Sequence, residues 1–143
     1  MDKFAHKHSF GQNFLKDKNV LMKMIDSVDV KEDDLVIEIG PGQGALTKYL
    51  KLFHCQLVCF EIDTRLKKYL DSFVDDKTEV IFEDILKVNL EEVLSKYKYN
   101  NLYVIANLPY YITTPIIEHI MDSKLRVKSM LFMVQNEVAD RLC

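Results

Sequence analysis

Hydrophobic residues in the first third of the chain follow two different spacings. Leu21, Met24, Ile25 and Val28 recur at helical spacing and predict a helix over residues 18–27. The apolar run at residues 35–39 ends in Gly40-Pro41-Gly42, which is typical of a buried strand that stops at a tight turn. Apolar positions between residues 45 and 53 again lie on one helical face. Helix, strand, turn and helix are therefore predicted in succession.

The same alternation continues through the rest of the chain. We expect further strands at residues 57–62, 80–82, 102–106 and 130–134, and helices at residues 64–73, 90–95, 115–121 and from about residue 136 onward. Strands that alternate with helices are typical of a mostly parallel sheet with helices on both faces. The predicted fold class is therefore α/β and Rossmann-like, and its ligands should bind beyond the carboxyl ends of the strands.

Length and charge restrict this picture only slightly. With 143 residues the chain suits one domain, and it contains no apolar run near the roughly 20 residues that a membrane span needs. We therefore expect a cytoplasmic protein with no membrane partner. The formal net charge of −3 argues mildly against a nucleic-acid partner, but residues 1–25 carry five lysines against two aspartates. Residues 1–17 are accordingly interpreted as a basic N-terminal arm, which contacts phosphate or is simply solvated.

The cysteines suggest no special chemistry. Cys55, Cys59 and Cys143 form an odd set without a CxxC pair, and the first two lie in an apolar stretch. Cysteine behaves there as a small hydrophobic residue. We expect reduced thiols and no metal site.

The clearest ligand signal follows the first predicted strand. Gly40, Gly42 and Gly44 alternate in the turn, where glycine lets the backbone bend sharply and approach a ligand closely. Glu61 ends the second strand, where a carboxylate can accept hydrogen bonds from both hydroxyls of a ribose. The pairing predicts a nucleoside-containing ligand.

Two kinds of cofactor fit these glycines, because Gly40, Gly42 and Ala45 also satisfy the loose dinucleotide pattern GxGxxG/A. Glu38 at the end of the first strand and Asp84 after the third strand favour S-adenosylmethionine. That cofactor has no phosphate and carries a sulfonium and an amino group, which favour nearby carboxylates. Taken singly, these acids also fit structural roles, such as an N-cap at Asp84. Three acids, each at a separate strand end, make a purely structural explanation less attractive.

A second polar turn follows the fourth predicted strand. In Asn107-Leu108-Pro109-Tyr110, the Asn107 side-chain carbonyl and the Leu108 backbone carbonyl could accept hydrogen bonds from an exocyclic adenine amine. Pro109 would fix the turn and Tyr110 could stack on a base held outside its helix. The alternative is an ordinary capped turn before a helix.

Taken together, these motifs resemble a known family, the bacterial small-subunit (16S) ribosomal RNA adenine N6,N6-dimethyltransferases, which are related to macrolide-resistance rRNA methylases. The motifs that carry the resemblance occur in order over essentially the whole chain: Gly11-Gln12-Asn13-Phe14-Leu15, residues 36–47, Glu83-Asp84, Asn107-Leu108-Pro109-Tyr110 with Thr113-Thr114-Pro115, and residues 135–142.

The resemblance implies a role for each matching residue. Gln12, Asn13 and Leu15 would close over the methionine end of S-adenosylmethionine, with Gly40 beside it. Glu61 would hold the ribose and Asp84 would contact the cofactor adenine. Asn107 and its turn would hold the target amine while Tyr110 stacks on the base. The full predicted cofactor set is Gln12, Asn13, Leu15, Glu38, Gly40, Gly42, Gly44, Glu61, Ile62, Asp84, Ile85 and Asn107, and the predicted catalytic set is Asn107, Leu108, Pro109 and Tyr110.

The resemblance further implies that the partner is small-subunit ribosomal RNA in an immature particle, that no metal takes part, and that methyl transfer is direct. Family members continue beyond position 143 with two strands, a second aromatic that clamps the base, and a helical RNA-binding domain. We therefore expect residues 1–143 to be a truncated catalytic domain that lacks the last strands, exposes an apolar sheet edge at residues 130–134 and has impaired activity. A non-catalytic ribosome-assembly module and an NAD-dependent oxidoreductase remain as alternatives.

Overall fold

The computed structural model describes residues 18–134, so the basic arm and the helix expected from residue 136 lie outside the described residues. The elements are α1 (Lys18–Asp26), β1 (Leu35–Ile39), α2 (Thr47–Leu50), β2 (Gln56–Phe60), α3 (Lys67–Leu70), β3 (Thr78–Ile81), α4 (Leu90–Leu94), β4 (Leu102–Leu108), α5 (Tyr110–Asp122) and β5 (Val127–Val134). Short 3-10 turns at Lys51–Phe53, Thr64–Leu66, Asp71–Phe73 and Ile85–Lys87 complete the list.

The five strands form one parallel sheet in the order β3-β2-β1-β4-β5. The chain adds β2 and β3 on one side of β1 and then returns to add β4 and β5 on the other side. The order therefore reverses between β1 and β4, and ligands of such sheets bind at the carboxyl ends of the strands at this point. The predicted α/β class is confirmed.

Alternate residues of each strand supply two separate cores, one on each face of the sheet. Leu35, Ile37 and Ile39 of β1 pack on the face covered by α4 and α5, where Ile116 and Ile120 are buried. Val36 packs on the other face with residues of α1 and α2. Because successive strand residues point to opposite faces, both faces of the sheet are apolar, and helices cover both, as a buried parallel sheet requires.

Two predicted helices are shorter and less regular than expected. The helix expected at residues 45–53 is an α-helix only at Thr47–Leu50, and the 3-10 turn at Lys51–Phe53 follows it. Gly42 and Gly44 have φ values of +62° and +93°, which keep the preceding turn out of the helix. The helix expected at residues 64–73 is divided into a four-residue α-helix, α3, between two 3-10 turns. Among residues 18–134, no helix has the length and apolar character needed to cross a membrane.

The end of β4 and the start of α5 also differ from the prediction. Asn107 and Leu108 belong to β4 because they pair with Met133 and Val134 of β5. The following helix begins at Tyr110 rather than at Pro115, which lies inside it. A proline at the first helical position is common, and this favoured the later start. The structure tolerates Pro115 one turn inside the helix, at the cost of one backbone hydrogen bond.

Candidate cofactor and acceptor site

A cavity of about 260 Å³ lies at the carboxyl ends of the strands, on the side where the order reverses. It contains seven of the predicted site residues: Gly40, Glu61, Ile62, Asp84, Ile85, Leu108 and Pro109. The remaining lining residues are Ile39, Phe60, Glu83, Tyr111, Ile112 and Ile116. Residues predicted from four separate chain segments therefore lie around the same cavity.

The glycine turn places the backbone of β1 directly against the end of β4. Gly40 has φ +72° and donates its N–H to the Phe60 carbonyl at 2.9 Å. A Cβ atom at this position would lie 2.9 Å from Cδ2 of Leu108 and 3.6 Å from the Asn107 carbonyl oxygen. Glycine is therefore needed both for the backbone conformation and for this close approach.

Glu61 connects the glycine turn to the loop after β2. Its carboxylate is only 6% exposed, and Oε1 accepts a hydrogen bond from the Gly42 N–H at 3.0 Å. Oε2 accepts from the Asp63 N–H at 2.9 Å. Each carboxylate oxygen has a second lone pair, so both can still accept a hydrogen bond from a ligand.

Asp84 has a structural contact and also lines the cavity. Its Oδ1 accepts a hydrogen bond from the Leu86 N–H at 3.0 Å and so caps the following 3-10 turn. The structural role considered from the sequence is therefore real, and it leaves Oδ2 without a hydrogen bond to any described residue. Next to Asp84, Ile85 is buried, whereas Ile62, which also lines the cavity, is 68% exposed.

Glu38 is placed beneath the glycine turn and does not line the cavity. Its side chain is 2% exposed, and Oε1 accepts hydrogen bonds from the Thr47 hydroxyl at 2.6 Å and the Cys59 thiol at 3.6 Å. Burial raises the pKa of Glu38 to about 7, the two hydrogen bonds oppose this change, and nearby Glu61 adds to it. Its contacts tie β1 to β2 and to the first turn of α2.

Burial also raises the pKa of Cys59 well above its ordinary value and the pKa of Cys55 to about 11. Both cysteines are free and buried, in keeping with the expectation of reduced core thiols.

The acceptor turn is only partly at the cavity. Leu108 and Pro109 line it, whereas Asn107 does not, although its carbonyl oxygen faces Gly40. The Asn107 side chain has no hydrogen-bond partner among the residues that the structure describes. Gln12, Asn13, Leu15 and the side chain of Tyr110 lie outside the described part of the chain, so their assigned roles remain predictions.

Sequence reasoning missed the contribution of α5 to the cavity. Tyr111, Ile112 and Ile116 all line it, and the first two belong to the stretch that was expected to precede the helix. Ile112, Ile116 and Ile120 repeat every four residues, which is the helical spacing that would have revealed the earlier start. Glu83 was also missed as a lining residue, although it immediately precedes Asp84.

All the described charged residues that line this cavity are acidic. Glu61, Glu83 and Asp84 line it, and its described lining contains no lysine, arginine or histidine. Carboxylates attract a cationic ligand and repel phosphate. The lining therefore suits a nucleoside that carries positive charge and lacks phosphate groups.

A larger and shallower depression of about 640 Å³ lies elsewhere, between α4, the loop after it and the segment that leads into β5. It contains none of the predicted site residues and lies near the amino ends of β4 and β5, where parallel sheets do not usually bind ligands. The smaller cavity is therefore the better candidate site.

Comparison with known proteins decides the family. A family model described as ribosomal RNA adenine dimethylase matches residues 3–143. The chain belongs to this family. The resemblance inferred from the motifs is thereby confirmed.

Curated relatives agree with this membership. A ribosomal RNA small subunit methyltransferase A from Streptococcus pyogenes serotype M5 is 46% identical, and the alignment covers 97% of this chain and 49% of that protein. The protein of the same name from Streptococcus pneumoniae serotype 2 is 48% identical with the same coverage. The chain thus spans about half the length of the curated dimethylase relatives it matches.

Solved structures show the same fold. A dimethyladenosine transferase from Plasmodium falciparum superposes with a TM-score of 0.66 at 27% identity, covering 89% of this chain and 44% of that one. The 23S rRNA methyltransferase ErmE gives a TM-score of 0.65 at 24% identity, covering 83% of this dimethylase-family chain and 47% of that one. The α/β fold of this family member is therefore that of known rRNA methyltransferases.

Proposed function

We propose that the chain binds S-adenosylmethionine in the 260 Å³ cavity and directs its methyl group to the N6 amines of adenines in small-subunit ribosomal RNA. The observation that carries the proposal is that a cavity whose described charged lining residues are all carboxylates meets the end of the Asn107-Leu108-Pro109 segment where the strand order reverses. The proposed setting is an immature small subunit in the cytoplasm. The names of the curated relatives support the choice of RNA.

The hydrogen-bond acceptors in the pocket fit S-adenosylmethionine better than a dinucleotide. Glu61 offers two carboxylate oxygens for the ribose hydroxyls, and Asp84 keeps one oxygen available for the adenine amine. Ile62 and Ile85 provide apolar surface from two strand ends. A pyrophosphate would instead lie close to Glu61, Glu83 and Asp84 without a compensating cation in the described lining.

The remaining predicted cofactor residues support the pocket in different ways. Gly40 contributes backbone at the cavity surface, whereas Gly42 holds Glu61 through its N–H. Glu38 fixes the first turn of α2 from below. Gln12, Asn13 and Leu15 belong to the proposal through the family motif alone, as the residues that cover the methionine end.

The acceptor half of the proposal depends on the end of β4. The Asn107 side-chain carbonyl is available to accept a hydrogen bond from the target amine, and the Leu108 carbonyl is a second acceptor in the same segment. Pro109 fixes the path of the chain into α5, and its carbonyl accepts from the Thr113 hydroxyl at 3.2 Å. Tyr110 is proposed to stack on the target base.

Bound S-adenosylmethionine would supply a methyl group on a cationic sulfur. S-adenosylhomocysteine would leave as the carbon–sulfur bond breaks and the adenine nitrogen takes the methyl group, and that nitrogen would then release one proton to solvent. The protein then contributes position and electrostatics: it holds the amine at the end of β4 and surrounds the cationic donor with carboxylates. No residue in the proposed set needs to act as a nucleophile.

The decisive experiment measures transfer of a labelled methyl group to immature small subunits. We expect the chain to transfer label and Asn107→Ala to reduce transfer by roughly 100-fold or more, because the amine loses its positioning acceptor. Although Asn107 also belongs to the predicted cofactor set, it does not line the cavity, so affinity for S-adenosylmethionine should change by less than about threefold. The Streptococcus pneumoniae relative serves as positive control for the substrate particle. Equal transfer by the native chain and Asn107→Ala would contradict the acceptor assignment.

A further inference from the structure

Tyr111 is an exposed aromatic residue on the rim of the cavity. Its side chain is 65% exposed, and it lines the same cavity as Leu108 and Pro109. Isolated exposed apolar residues are common on proteins and need no explanation. This one differs because an aromatic face lies beside the segment proposed to hold a nucleobase.

The helix explains why the ring is held at the rim. Ile112 and Ile116 turn one face of α5 toward the sheet, where they pack against the core, and Tyr111 lies about 100° away around the helix. The first turn is fixed because the Pro109 carbonyl accepts from both the Ile112 N–H and the Thr113 hydroxyl. Tyr111 is therefore presented by an ordered helical turn, and its hydroxyl has no partner among the described residues.

Tyr111 and the proposed cofactor carboxylates line the same cavity from different elements. Glu61 and Asp84 extend from the ends of β2 and β3, whereas Tyr111 belongs to α5, which continues from the acceptor strand β4. A target base must enter far enough to reach Asn107, where it would be enclosed. A ring that is two-thirds exposed at the rim is better placed for a nucleotide that stays outside.

We propose that Tyr111 stacks on an unpaired RNA base adjacent to the target adenine and so helps to select a single-stranded substrate. This inference rests on the proposed function, and it adds a contact that the acceptor turn does not supply. Base stacking on an aromatic side chain contributes about 1–3 kcal/mol per base by alanine substitution. It also tolerates different bases, because every base has a π-face.

The absence of tryptophan from the sequence allows a direct test. Tyr111→Trp introduces a single indole at the cavity rim. Met121→Trp introduces one on the same helix, at a residue that is 69% exposed and does not line the cavity. Each variant is saturated with S-adenosylhomocysteine and then titrated with single-stranded oligoadenylate RNA while indole fluorescence is recorded.

We expect RNA to quench the indole at position 111 and to leave the indole at position 121 unchanged. In parallel binding measurements, Tyr111→Ala should weaken oligoadenylate binding roughly 5- to 150-fold, and Tyr111→Phe should retain it. Met121→Ala should change the affinity less than about twofold. Affinity for S-adenosylhomocysteine should be the same in all variants.

Three results would overturn the inference. Equal fluorescence changes at both positions, or none at position 111 while RNA binds, would show that the ring does not stack on RNA. Quenching by S-adenosylhomocysteine alone, with no further change on adding RNA, would assign the ring to the cofactor. In each of these cases the proposed function would stand. Failure of the folded native chain to bind either ligand would overturn both proposals.

Discussion

Replacement of Gly44 by alanine tests the packing that supports the glycine turn. Gly44 has φ +93°, and an added Cβ would lie 2.3 Å from Cε2 and 2.7 Å from Cζ of the Phe73 ring. Phe73 is partly buried, and its ring would have to shift to admit the new methyl group. Gly44→Ala therefore combines backbone strain with a steric clash.

The magnitude follows from these two contributions. Left-handed backbone costs a non-glycine residue about 1–2 kcal/mol, and overpacking costs about 1–3 kcal/mol. Gly42→Ala is the matched control, since Gly42 also has positive φ, at +62°, but an added Cβ there would have no atom within 4 Å. We expect Gly44→Ala to lower the free energy of unfolding about 1–3 kcal/mol more than Gly42→Ala does.

The free energies of unfolding of both variants are measured by urea titration with circular dichroism as the signal. Phe73→Leu in the Gly44→Ala background should restore about 1 kcal/mol or more, because a smaller side chain makes room for the new methyl group. Equal destabilisation by the two alanine substitutions, together with no recovery from Phe73→Leu, would refute the proposed contact between Phe73 and the turn.

Two further predictions concern buried and capping carboxylates. Because the pKa of Glu38 is raised to about 7 in the folded protein, the free energy of unfolding should fall by on the order of 3 kcal/mol as pH rises from about 4.5 to about 7. Urea unfolding should show this decline in the native chain but not in Glu38→Gln. Parallel pH profiles of the two proteins would contradict the prediction. Asp84→Ala and Asn89→Ala each remove an N-cap and should each lower the free energy of unfolding by about 1 kcal/mol. In calorimetry only Asp84→Ala should weaken S-adenosylmethionine binding, by roughly 10-fold or more. Equal affinities of the two variants would show that Asp84 does not bind the cofactor.

The sheet was predictable because its signals are local. Largely apolar runs such as residues 35–39, in which Glu38 is the one charged residue, and residues 102–106 recur between glycine or polar turns, and in the structure both are central strands buried on two faces. The helices were less predictable. Pro115 suggested a helix start that tertiary packing of Ile112 and Ile116 places one turn earlier.

The candidate site was also only partly predictable from the sequence. Glu61 and Asp84 were identifiable because each lies within three residues of the end of a strand, and the carboxyl ends of parallel strands meet at one edge. Glu38 also ends a strand, but its carboxylate lies beneath the turn, where Thr47 and Cys59 bind it. Which way a strand-end side chain points depends on the pleat and on its neighbours, and the sequence alone does not specify this.

The most direct test of the central claim is a calorimetric titration of the chain with S-adenosylmethionine. We predict binding by the native chain, at least about 10-fold weaker binding by Glu61→Gln, and unchanged binding by Asp63→Asn. Asp63→Asn removes the same charge two residues away, at a side chain that pairs with Arg65 and does not line the cavity. Absence of binding to the folded native chain, or equal affinity of the native chain and Glu61→Gln, would contradict the account.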